Sequence, residues 1–356
     1  MLIFSDVHFG LKNDDPKRLS DAEQCIDWII SVGKERNEKV CVFAGDWFND
    51  RGSIGVNTLA IAKRNVKKLC EAFKLVIMIA GNHDNFYNHN NSLSSIEIFD
   101  GIAPNLRVVI DSPFVLQNCE GMRVCFAPWL YDPNSETTKY DVLIGHFEFI
   151  GGKMNGKISG GKYGIRSLLA VAPLVFTGHY HLTASYEREE GKLISLGSPY
   201  QIDWGDCGDQ KRIVLLHKDG FESIGNTVSP QFYRLPASKL ASLPEDKLKA
   251  FFSNPKLQNS SVQLTVAETI DQEALSRVLS IGRAGSLRSL EFAYSVGSGE
   301  LVEKAAEEMK ATEGKPIETY VHEFIDIMIK DERFASVDGK KIHELADHYF
   351  SKVRSE

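Results

Sequence analysis

Five short clusters of Asp, His and Asn side chains each follow an apolar run that is typical of a buried β-strand. They are Asp6-Val7-His8, Gly45-Asp46, Gly81-Asn82-His83-Asp84, Gly145-His146 and Gly178-His179-Tyr180-His181. Open α/β sheets bind ligands at the carboxyl ends of their strands, so we expect the five clusters to converge there. Residues two apart in an extended chain point the same way, which predicts that Asp6 pairs with His8 and His179 with His181. The glycines let the backbone turn sharply at each strand end.

The donor types in these clusters narrow the chemistry. Imidazole, carboxylate and amide oxygen without thiolate form a mixed nitrogen and oxygen set, which suits Mn, Fe or Zn better than Ca or Mg alone. The candidate ligands are Asp6, His8, Asp46, Asn82, His146, His179 and His181. They are too many for one tetrahedral zinc ion and enough for two metal ions that share a carboxylate. The pattern therefore predicts a dinuclear site that hydrolyses phosphoesters.

The elements that must position the clusters alternate between strands and helices. A capping box at Ser20 and Glu23 predicts a helix over residues 20–36, and apolar spacing predicts a second helix over 56–73. These helices separate apolar runs at 2–4, 39–44 and 75–80, which indicates parallel strands. Later strands are predicted at 108–110, 124–126, 141–144, 174–177, 193–196 and 213–217, the last followed by the hairpin turn Lys218-Asp219-Gly220.

The pattern changes near residue 230. A strand at 262–266, a helix at 271–281 and a strand at 290–296 predict a small α/β unit, and residues 295–299 are typical of a linker. Helices are predicted near 301–311, 316–330 and 339–354. Apolar stripes on the last two favour docking onto a partner helix or coiled coil. We therefore predict three parts, at 1–230, 231–298 and 299–356.

Composition is that of an ordinary globular protein, with 356 residues, 43% hydrophobic and 25% charged. No apolar run approaches the ~18 residues that span a bilayer, so we expect no membrane helix and no signal peptide. The six cysteines form no C-x-x-C pair, which favours reduced thiols and a cytoplasmic location. The net charge is −7, but residues 300–356 carry −5 of it and leave −2 for the first 299. The acidic total therefore says little against a nucleic acid substrate.

In order and spacing, the five clusters resemble those of the calcineurin-like metallophosphoesterase superfamily. Within it the chain looks most like the SbcD-type nuclease subunits of recombination and repair complexes, in their compact phage form. Ala127-Pro128-Trp129 and Leu196-Gly197-Ser198-Pro199, with Lys211 downstream, carry this second resemblance. It implies an α/β fold in which a two-sheet sandwich is flanked by helices, followed by a small α/β capping domain and a helical C-terminal tail.

The resemblance also implies an activity and partners. The chain would be a Mn²⁺-dependent DNA exonuclease and endonuclease. Its C-terminal helices would bind an SbcC-type, SMC-like ATPase, and family members commonly form homodimers. A phage-encoded protein of this kind would act in the host cytoplasm. Two alternatives stay open: a phosphatase or cyclic-nucleotide phosphodiesterase with a small substrate, and a non-catalytic binding scaffold.

Roles for individual residues follow from the same resemblance. One Mn²⁺ would be held by Asp6, His8, Asp46 and His181, and the second by Asp46, Asn82, His146 and His179. Mg²⁺ would be a weaker substitute. His83 would stabilise the transition state or protonate the leaving 3′ oxygen, and Asp84 would orient His83. Many cellular members have a histidine where this chain has Asn49, so the role of that histidine does not transfer.

Basic residues close to these clusters are candidate DNA contacts. Residues 151–166 contain six Gly, three Lys, one Arg and no acid, which favours a flexible loop along a phosphate backbone, although a solvated surface loop has the same composition. The candidates are Arg51, Lys153, Lys157 and Lys162. Five further histidines lack ligand spacing and are predicted to be structural or on the surface: His89, His217, His322, His343 and His348.

Overall fold

The computed structural model describes residues 1–154, 157–266, 271–294, 317–330 and 338–353. The predicted linker at 295–299 and the predicted helix at 301–311 lie outside these residues. The chain divides into two compact units. The first comprises Met1–Arg234, Lys249–Val262 and Ile281–Leu290, and the second comprises Leu235–Leu248, Gln263–Ser280 and Glu291–Glu356. The three-part division at 230 and 298 stays a prediction.

Two six-stranded sheets form the frame of the first unit. The first sheet contains β1 (Leu2–Phe4), β2 (Val40–Ala44), β3 (Leu75–Ile79), β4 (Leu106–Val109), β13 (Arg212–His217) and β14 (Gly220–Gly225). The second contains β5 (Phe114–Cys119), β6 (Met122–Ala127), β7 (Val142–His146), β10 (Leu174–Gly178), β11 (Ala184–Arg188) and β12 (Gly191–Ser195). Their orders are β14-β13-β1-β2-β3-β4 and β11-β12-β10-β7-β6-β5. The four strands β1 to β4 are parallel, as predicted for the first three, and so are β6, β7, β10 and β12.

Helices and short strands complete the described chain. The helices are α1 (Pro16–Glu35), α2 (Val56–Ala72), α3 (Ile165–Leu169), α4 (Ala237–Ala241), α5 (Glu245–Phe252), α6 (Gln272–Arg283), α7 (Ile317–Met328) and α8 (Gly339–Val353). A two-stranded hairpin contains β8 (Lys153–Met154) and β9 (Lys157–Ile158), and a three-stranded sheet contains β15 (Phe232–Pro236), β16 (Ser261–Val266) and β17 (Ser289–Tyr294). None of the helices in the described ranges is long and apolar enough to cross a membrane.

The core is layered because the central strands are apolar on both faces. One layer lies between the two sheets and includes Ile3, Val42, Ile77, Phe126, Ile144 and Phe176. The opposite face of the first sheet packs against α1 and α2 through side chains such as Phe4, Phe43, Ile26 and Leu69. The opposite face of the second sheet packs against α3 through Leu143, Val175 and Leu168. The predicted α/β sandwich flanked by helices is thus confirmed.

The start of α1 differs from the prediction. The helix begins at Pro16, and the side chain of Asp15 caps it by accepting a hydrogen bond from the Lys17 amide at 3.0 Å. Ser20, predicted to be the cap, lies inside the helix and accepts a hydrogen bond from Gln24. Proline at the first helical position has its φ already set for a helix, so Asp15-Pro16 is the stronger start signal.

Six described strands were not predicted: β5, β8, β9, β11, β14 and β15, although β14 follows the predicted hairpin turn at Lys218-Asp219-Gly220. Each lies at the edge of its sheet. Edge strands face solvent along one side and carry more polar residues than central strands, so their apolar signal is weak.

Candidate metal centre

All five clusters lie at the carboxyl ends of parallel strands, as predicted. Asp6 and His8 follow β1, Asp46 follows β2 and Asn82 follows β3. In the second sheet, His146 ends β7 and pairs with Gly178, the last residue of β10, so that His179 and His181 come next to it. The two sheets therefore bring ligands from residues 6 to 181 into one place.

The seven candidate ligands form two groups that share Asp46. In the first group, His8 Nε2 lies 3.1 Å from His181 Nε2, 3.8 Å from an Asp6 oxygen and 3.7 Å from an Asp46 oxygen. In the second, His146 Nε2 lies 3.3 Å from the same Asp46 oxygen and 3.1 Å from Asn82 Oδ1. His179 Nδ1 lies 2.9 Å from Asn82 Oδ1. The structure thus brings the seven candidate ligands close together, and their division into two sets of four stays a prediction.

This arrangement fits a pair of divalent ions. Asp6, His8, Asp46 and His146 are all buried, and among the described residues His8 Nδ1 has no hydrogen-bond partner. Two facing imidazole nitrogens beside two buried carboxylates favour a bound cation, because buried negative charge without compensation is costly. The donor set of nitrogen and oxygen is that of Mn, Fe or Zn sites.

The pKa values of the two histidines of the second group shift in opposite directions. Burial favours a neutral His146, but the charge of Asp46 outweighs it and raises the pKa of His146 to about 9. Burial lowers the pKa of His179 to about 4, and the charge of His146 acts in the same direction. The negative field that retains a proton on His146 is also the field that attracts a metal cation.

The backbone that carries the ligands is strained. Asp6, His8, Asp46 and His179 have φ values of 57°, 52°, 63° and 85°, in the left-handed region that non-glycine residues rarely adopt. The argument from an extended chain was therefore wrong for Asp6 and His8, although the two side chains do converge. Hydrogen bonds between the segments after β1 and β2 hold this conformation, from Asp6 N to Gly45 O at 2.9 Å and from His8 N to Asp46 O at 3.1 Å.

Two glycines make room for the ligands. A Cβ atom on Gly81 would meet the carboxylate and the backbone nitrogen of Asp46. Gly45 has a φ of 101°, and a Cβ there would meet the His146 ring. These positions need glycine because ligand side chains pass directly over the backbone.

Asp84 binds backbone amides and does not orient His83 as expected. Its buried carboxylate accepts hydrogen bonds from the backbone amides of Asp46, Trp47, Phe48 and Gly81, at 2.8, 2.9, 3.3 and 2.9 Å. Burial and the nearby charge of Asp46 raise the pKa of Asp84 to about 7. Asp84 therefore holds the loop that carries Asp46, and the expectation that it orients His83 is corrected.

The His83 ring is oriented by a carbonyl group instead. His83 Nδ1 lies 2.6 Å from Asn49 O, and because a carbonyl can only accept, Nδ1 carries the proton. Burial is the main reason that the pKa of His83 lies below its ordinary value, and the charge of Arg51 acts in the same direction. Asn49 thus contributes through its backbone at the position where the family often has a histidine.

The candidate DNA contacts lie at different places. Lys153 lines a cavity together with Asp46, His83, His179 and His181, and Arg51 lies near His83. Lys157 is opposite Met154 in the β8–β9 hairpin, and the Lys162 ammonium lies over the Tyr163 ring at 4.9 Å. Lys153 and Arg51 are therefore the two candidates next to the metal ligands.

Sequence reasoning missed two supports of the centre. The Trp129 ring lies 5.3 Å from the His179 ring and 5.8 Å from the His146 ring. Lys211 is fully buried and donates to the His181 carbonyl at 2.6 Å while it pairs with Asp206 at 2.8 Å and Asp209 at 3.0 Å. Both residues stand in the motifs that carry the SbcD resemblance, which was the available signal.

Two histidines predicted to be structural or on the surface are in contact in the second unit. His322 on α7 and His343 on α8 have their Nδ1 atoms 2.6 Å apart, and their Nε2 atoms lie 2.9 Å from Asp347 and 3.0 Å from Asp326. Each helix supplies one His and one Asp four residues later. The contact was invisible in the sequence because it joins two helices.

Comparison with known proteins agrees with the geometry. A family model described as calcineurin-like phosphoesterase matches residues 1–182, half of the chain. Exonuclease subunit 1 of Enterobacteria phage T4 is 25% identical over 220 residues, which cover 59% of this chain and 62% of the phage protein. The chain thus matches less than two thirds of the length of that relative.

Solved structures with similar folds are more distant. A dimetal phosphatase from Danio rerio is 12% identical with a TM-score of 0.41, covering 63% of this chain and 94% of that chain. The nuclease MPE from Pseudomonas putida is 17% identical with a TM-score of 0.31, covering 60% of this chain and 82% of that chain. All seven candidate metal ligands fall within the segment that the family model matches. The chain belongs to the calcineurin-like phosphoesterase family.

Proposed function

We propose that this protein is a nuclease that hydrolyses DNA phosphodiester bonds with two bound Mn²⁺ ions, as the nuclease subunit of an SbcCD-like recombination and repair complex. The observation that carries the proposal is the pair of donor groups that share Asp46, with His83 beside them. Asp6, His8, Asp46 and His181 would hold one ion, and Asp46, Asn82, His146 and His179 the other. When bound, the ions would neutralise charge on the phosphoryl group and lower the pKa of water.

Side chains of the protein would supply proton transfer, positive charge and packing around the metal ligands. His83 donates its Nδ1 proton to Asn49 O, which directs Nε2 as the atom that can exchange a proton with the leaving oxygen. Lys153 and Arg51 would offset the negative charge of the substrate. Trp129 packs beside His146 and His179 and limits the rotation of both rings.

DNA as the substrate is supported by the phage relative, whose name is that of an exonuclease subunit. Mn²⁺ is supported by the donor set, since four imidazoles suit it better than Mg²⁺. Mg²⁺ would support weaker activity. Among the candidate DNA contacts Arg51, Lys153, Lys157 and Lys162, Lys153 and Arg51 carry positive charge next to the candidate metal centre.

The decisive experiment is a cleavage assay on end-labelled duplex and single-stranded DNA with Mn²⁺ or Mg²⁺, with products sized. We expect Mn²⁺-dependent release of nucleotides, and none from Asp46→Ala. Turnover of a small phosphodiester without DNA cleavage, unaffected by competing DNA, would instead favour a small-substrate phosphatase or cyclic-nucleotide phosphodiesterase. Absence of bound Mn²⁺ at micromolar supply would favour a non-catalytic scaffold.

The partner proposal rests on α7 and α8. Both helices carry apolar stripes on an acidic segment, which suits binding to a helical partner such as an SbcC-type ATPase. Removal of residues 300–356 should abolish binding to the ATPase and leave weak Mn²⁺-dependent nuclease activity. An unaltered complex in a pull-down assay would refute the docking role. We further propose that the protein is a homodimer, which sedimentation analysis tests.

A further inference from the structure

A loop of ten residues next to the metal centre, 85–94, presents aromatic rings to solvent. Phe86 and Tyr87 are 45% and 42% exposed, and their ring centroids lie 4.9 Å apart in an edge-to-face arrangement. The His89 ring is also exposed and lies 5.9 Å from the Tyr87 ring. Adjacent exposed rings leave apolar area in water, which is typical of a binding surface.

The base of the loop is firmly closed. Asn85 and Ser94 form an antiparallel bridge, and Phe86 N donates to Leu93 O at 3.0 Å. One residue further on, Ser95 N donates to Asp84 O at 2.7 Å. The rings therefore project from a defined turn, and little conformational entropy would be lost when a ligand binds them.

The loop is also joined to the wall of the metal centre. Asn85 Nδ2 donates to Asn91 Oδ1 at 2.6 Å, and Asn91 Nδ2 donates to the Trp129 carbonyl at 2.9 Å. The Trp129 ring in turn packs against His179. Phe86 follows His83 by three residues, so their Cα atoms are at most about 11 Å apart. At the rise of about 3.4 Å per nucleotide in a DNA strand, this distance corresponds to about three nucleotides.

The side chains of the loop are suited to bases and not to phosphates. Residues 85–96, NFYNHNNSLSSI, include no Asp, Glu, Lys or Arg, so the loop has no fixed charge for a phosphate. Aromatic faces stack on bases, and Asn side chains can hydrogen-bond to base edges. In a paired duplex the base faces are covered by neighbouring pairs. An unpaired base at a single strand or a frayed end is therefore the matching ligand.

We propose that the 85–94 loop is a stacking platform for an unpaired nucleobase within a few nucleotides of the scissile phosphate, with Phe86 and Tyr87 as its contact faces. The platform gives the enzyme a preference for single-stranded and frayed DNA ends over fully paired ends. This inference rests on the proposed nuclease function and adds the structural class of its substrate.

The test compares two single-stranded oligonucleotides with the same phosphates, one with all its bases and one with abasic sites at the three terminal positions. With Mn²⁺, the wild-type protein should have a KM about tenfold lower for the strand with bases, which corresponds to one stacked base. Phe86→Ala and Tyr87→Ala should each lose most of this difference while kcat on the abasic strand stays unchanged. Tyr87→Phe should retain it, because the flat ring remains.

Two controls separate stacking from other effects. Phe86→Leu keeps an apolar side chain without a flat face and should behave like Phe86→Ala. Val56→Ala removes apolar area from a side chain that is 85% exposed outside the loop and should behave like the wild type. Thermal unfolding is measured for each variant, and a midpoint temperature equal to that of the wild type shows that the fold is intact.

The outcomes are distinguishable. If the wild type cuts no DNA with Mn²⁺, the proposed nuclease function fails. If it cuts DNA and the loop variants match it on both strands, the platform is wrong and the nuclease stands. Variants that change a dimer into a monomer without altering the preference for bases would show that the rings bind a second copy of the chain, which also overturns the platform.

Discussion

At the scale of residues, the candidate metal ligands have a strained backbone that nearby hydrogen bonds and glycines stabilise. Four of the seven candidate ligands have left-handed backbone, a conformation that costs on the order of 1–3 kcal/mol for a residue other than glycine. The supports that offset this strain are local: the carboxylate of Asp84 receives four amide hydrogens, and Gly45 and Gly81 leave space for the rings and carboxylates. His83 also lies close to His8 and Asp46, and we propose that it acts on the substrate and does not bind a metal ion.

His83→Ala should lower DNA cleavage by about 100-fold or more while leaving two Mn²⁺ bound, because a positioned acid typically contributes a factor of 10² to 10⁴. Metal content by mass spectrometry and single-turnover rates test this expectation. His217→Ala, at a half-exposed histidine far along the chain, is the matched control. Loss of metal together with activity would place His83 among the ligands.

Asp84→Ala should lower the free energy of unfolding by about 3 kcal/mol, because it leaves several buried amides without an acceptor. The affinity for Mn²⁺ should fall as well, since the loop that carries Asp46 loses its support. Asp84→Asn keeps one acceptor oxygen and should lose less in both measurements. Urea unfolding measures the stability, and calorimetric titration measures the Mn²⁺ affinity. Wild-type values of both for Asp84→Ala would contradict the supporting role of Asp84.

At the scale of elements, the parallel strands place the ligands and the segments between them provide the bracing. Lys211, immediately before β13, reaches the carbonyl of His181 after β10 and is neutralised by Asp206 and Asp209. A buried ion pair of this kind contributes mainly by fixing the arrangement of two segments, since its own desolvation is costly. We therefore regard Lys211 as a positioning residue for His181.

Lys211→Met should lower the free energy of unfolding by about 3–5 kcal/mol, because two carboxylates then lose their buried partner. Lys192→Met is the matched control, since Lys192 pairs with Glu187 at the surface and its loss should cost less than about 1 kcal/mol. Chemical denaturation measures both. If the two variants lose the same free energy of unfolding, the burial of the Lys211 ion pair does not increase its contribution to stability.

At the scale of the whole molecule, charge and metal binding are coupled. The first 299 residues carry a net charge of −2, and part of their acid is ligand carboxylate. Two divalent ions would turn this value into +2, which removes the objection that an acidic protein repels a polyanion. The ions would also bind the folded state and not the unfolded state, because the candidate ligands between residues 6 and 181 come together only after folding.

Saturating Mn²⁺ should therefore stabilise the fold. At a concentration of 100 times Kd, each site adds about 2.7 kcal/mol to the free energy of unfolding. Thermal unfolding with Mn²⁺ and with a chelator measures the shift. Asp46→Ala removes the residue that both groups share and should abolish most of it, and a full shift in that variant would contradict the shared role.

Much of the fold was predictable from local patterns. The central strands and α2 agree with their predictions to within a few residues, because buried parallel strands are continuous apolar runs and a surface helix repeats every 3.6 residues. The strands β5, β8, β9, β11, β14 and β15 were missed because edge strands are short or partly polar. The start of α1 was missed because Asp15-Pro16 was overlooked in favour of Ser20.

The sequence by itself determined the donor types of the candidate metal centre, since those residues and their places after apolar strands are local properties. Only the tertiary structure decided which atoms meet. Four contacts join segments that are distant along the chain: Asn49 O with His83, the amides of residues 46–48 with Asp84, Lys211 with the His181 carbonyl, and His322 with His343. The left-handed backbone at Asp6 and His8 is likewise imposed by hydrogen bonds to the segment after β2. Such contacts depend on packing between elements, which no local pattern of residues encodes.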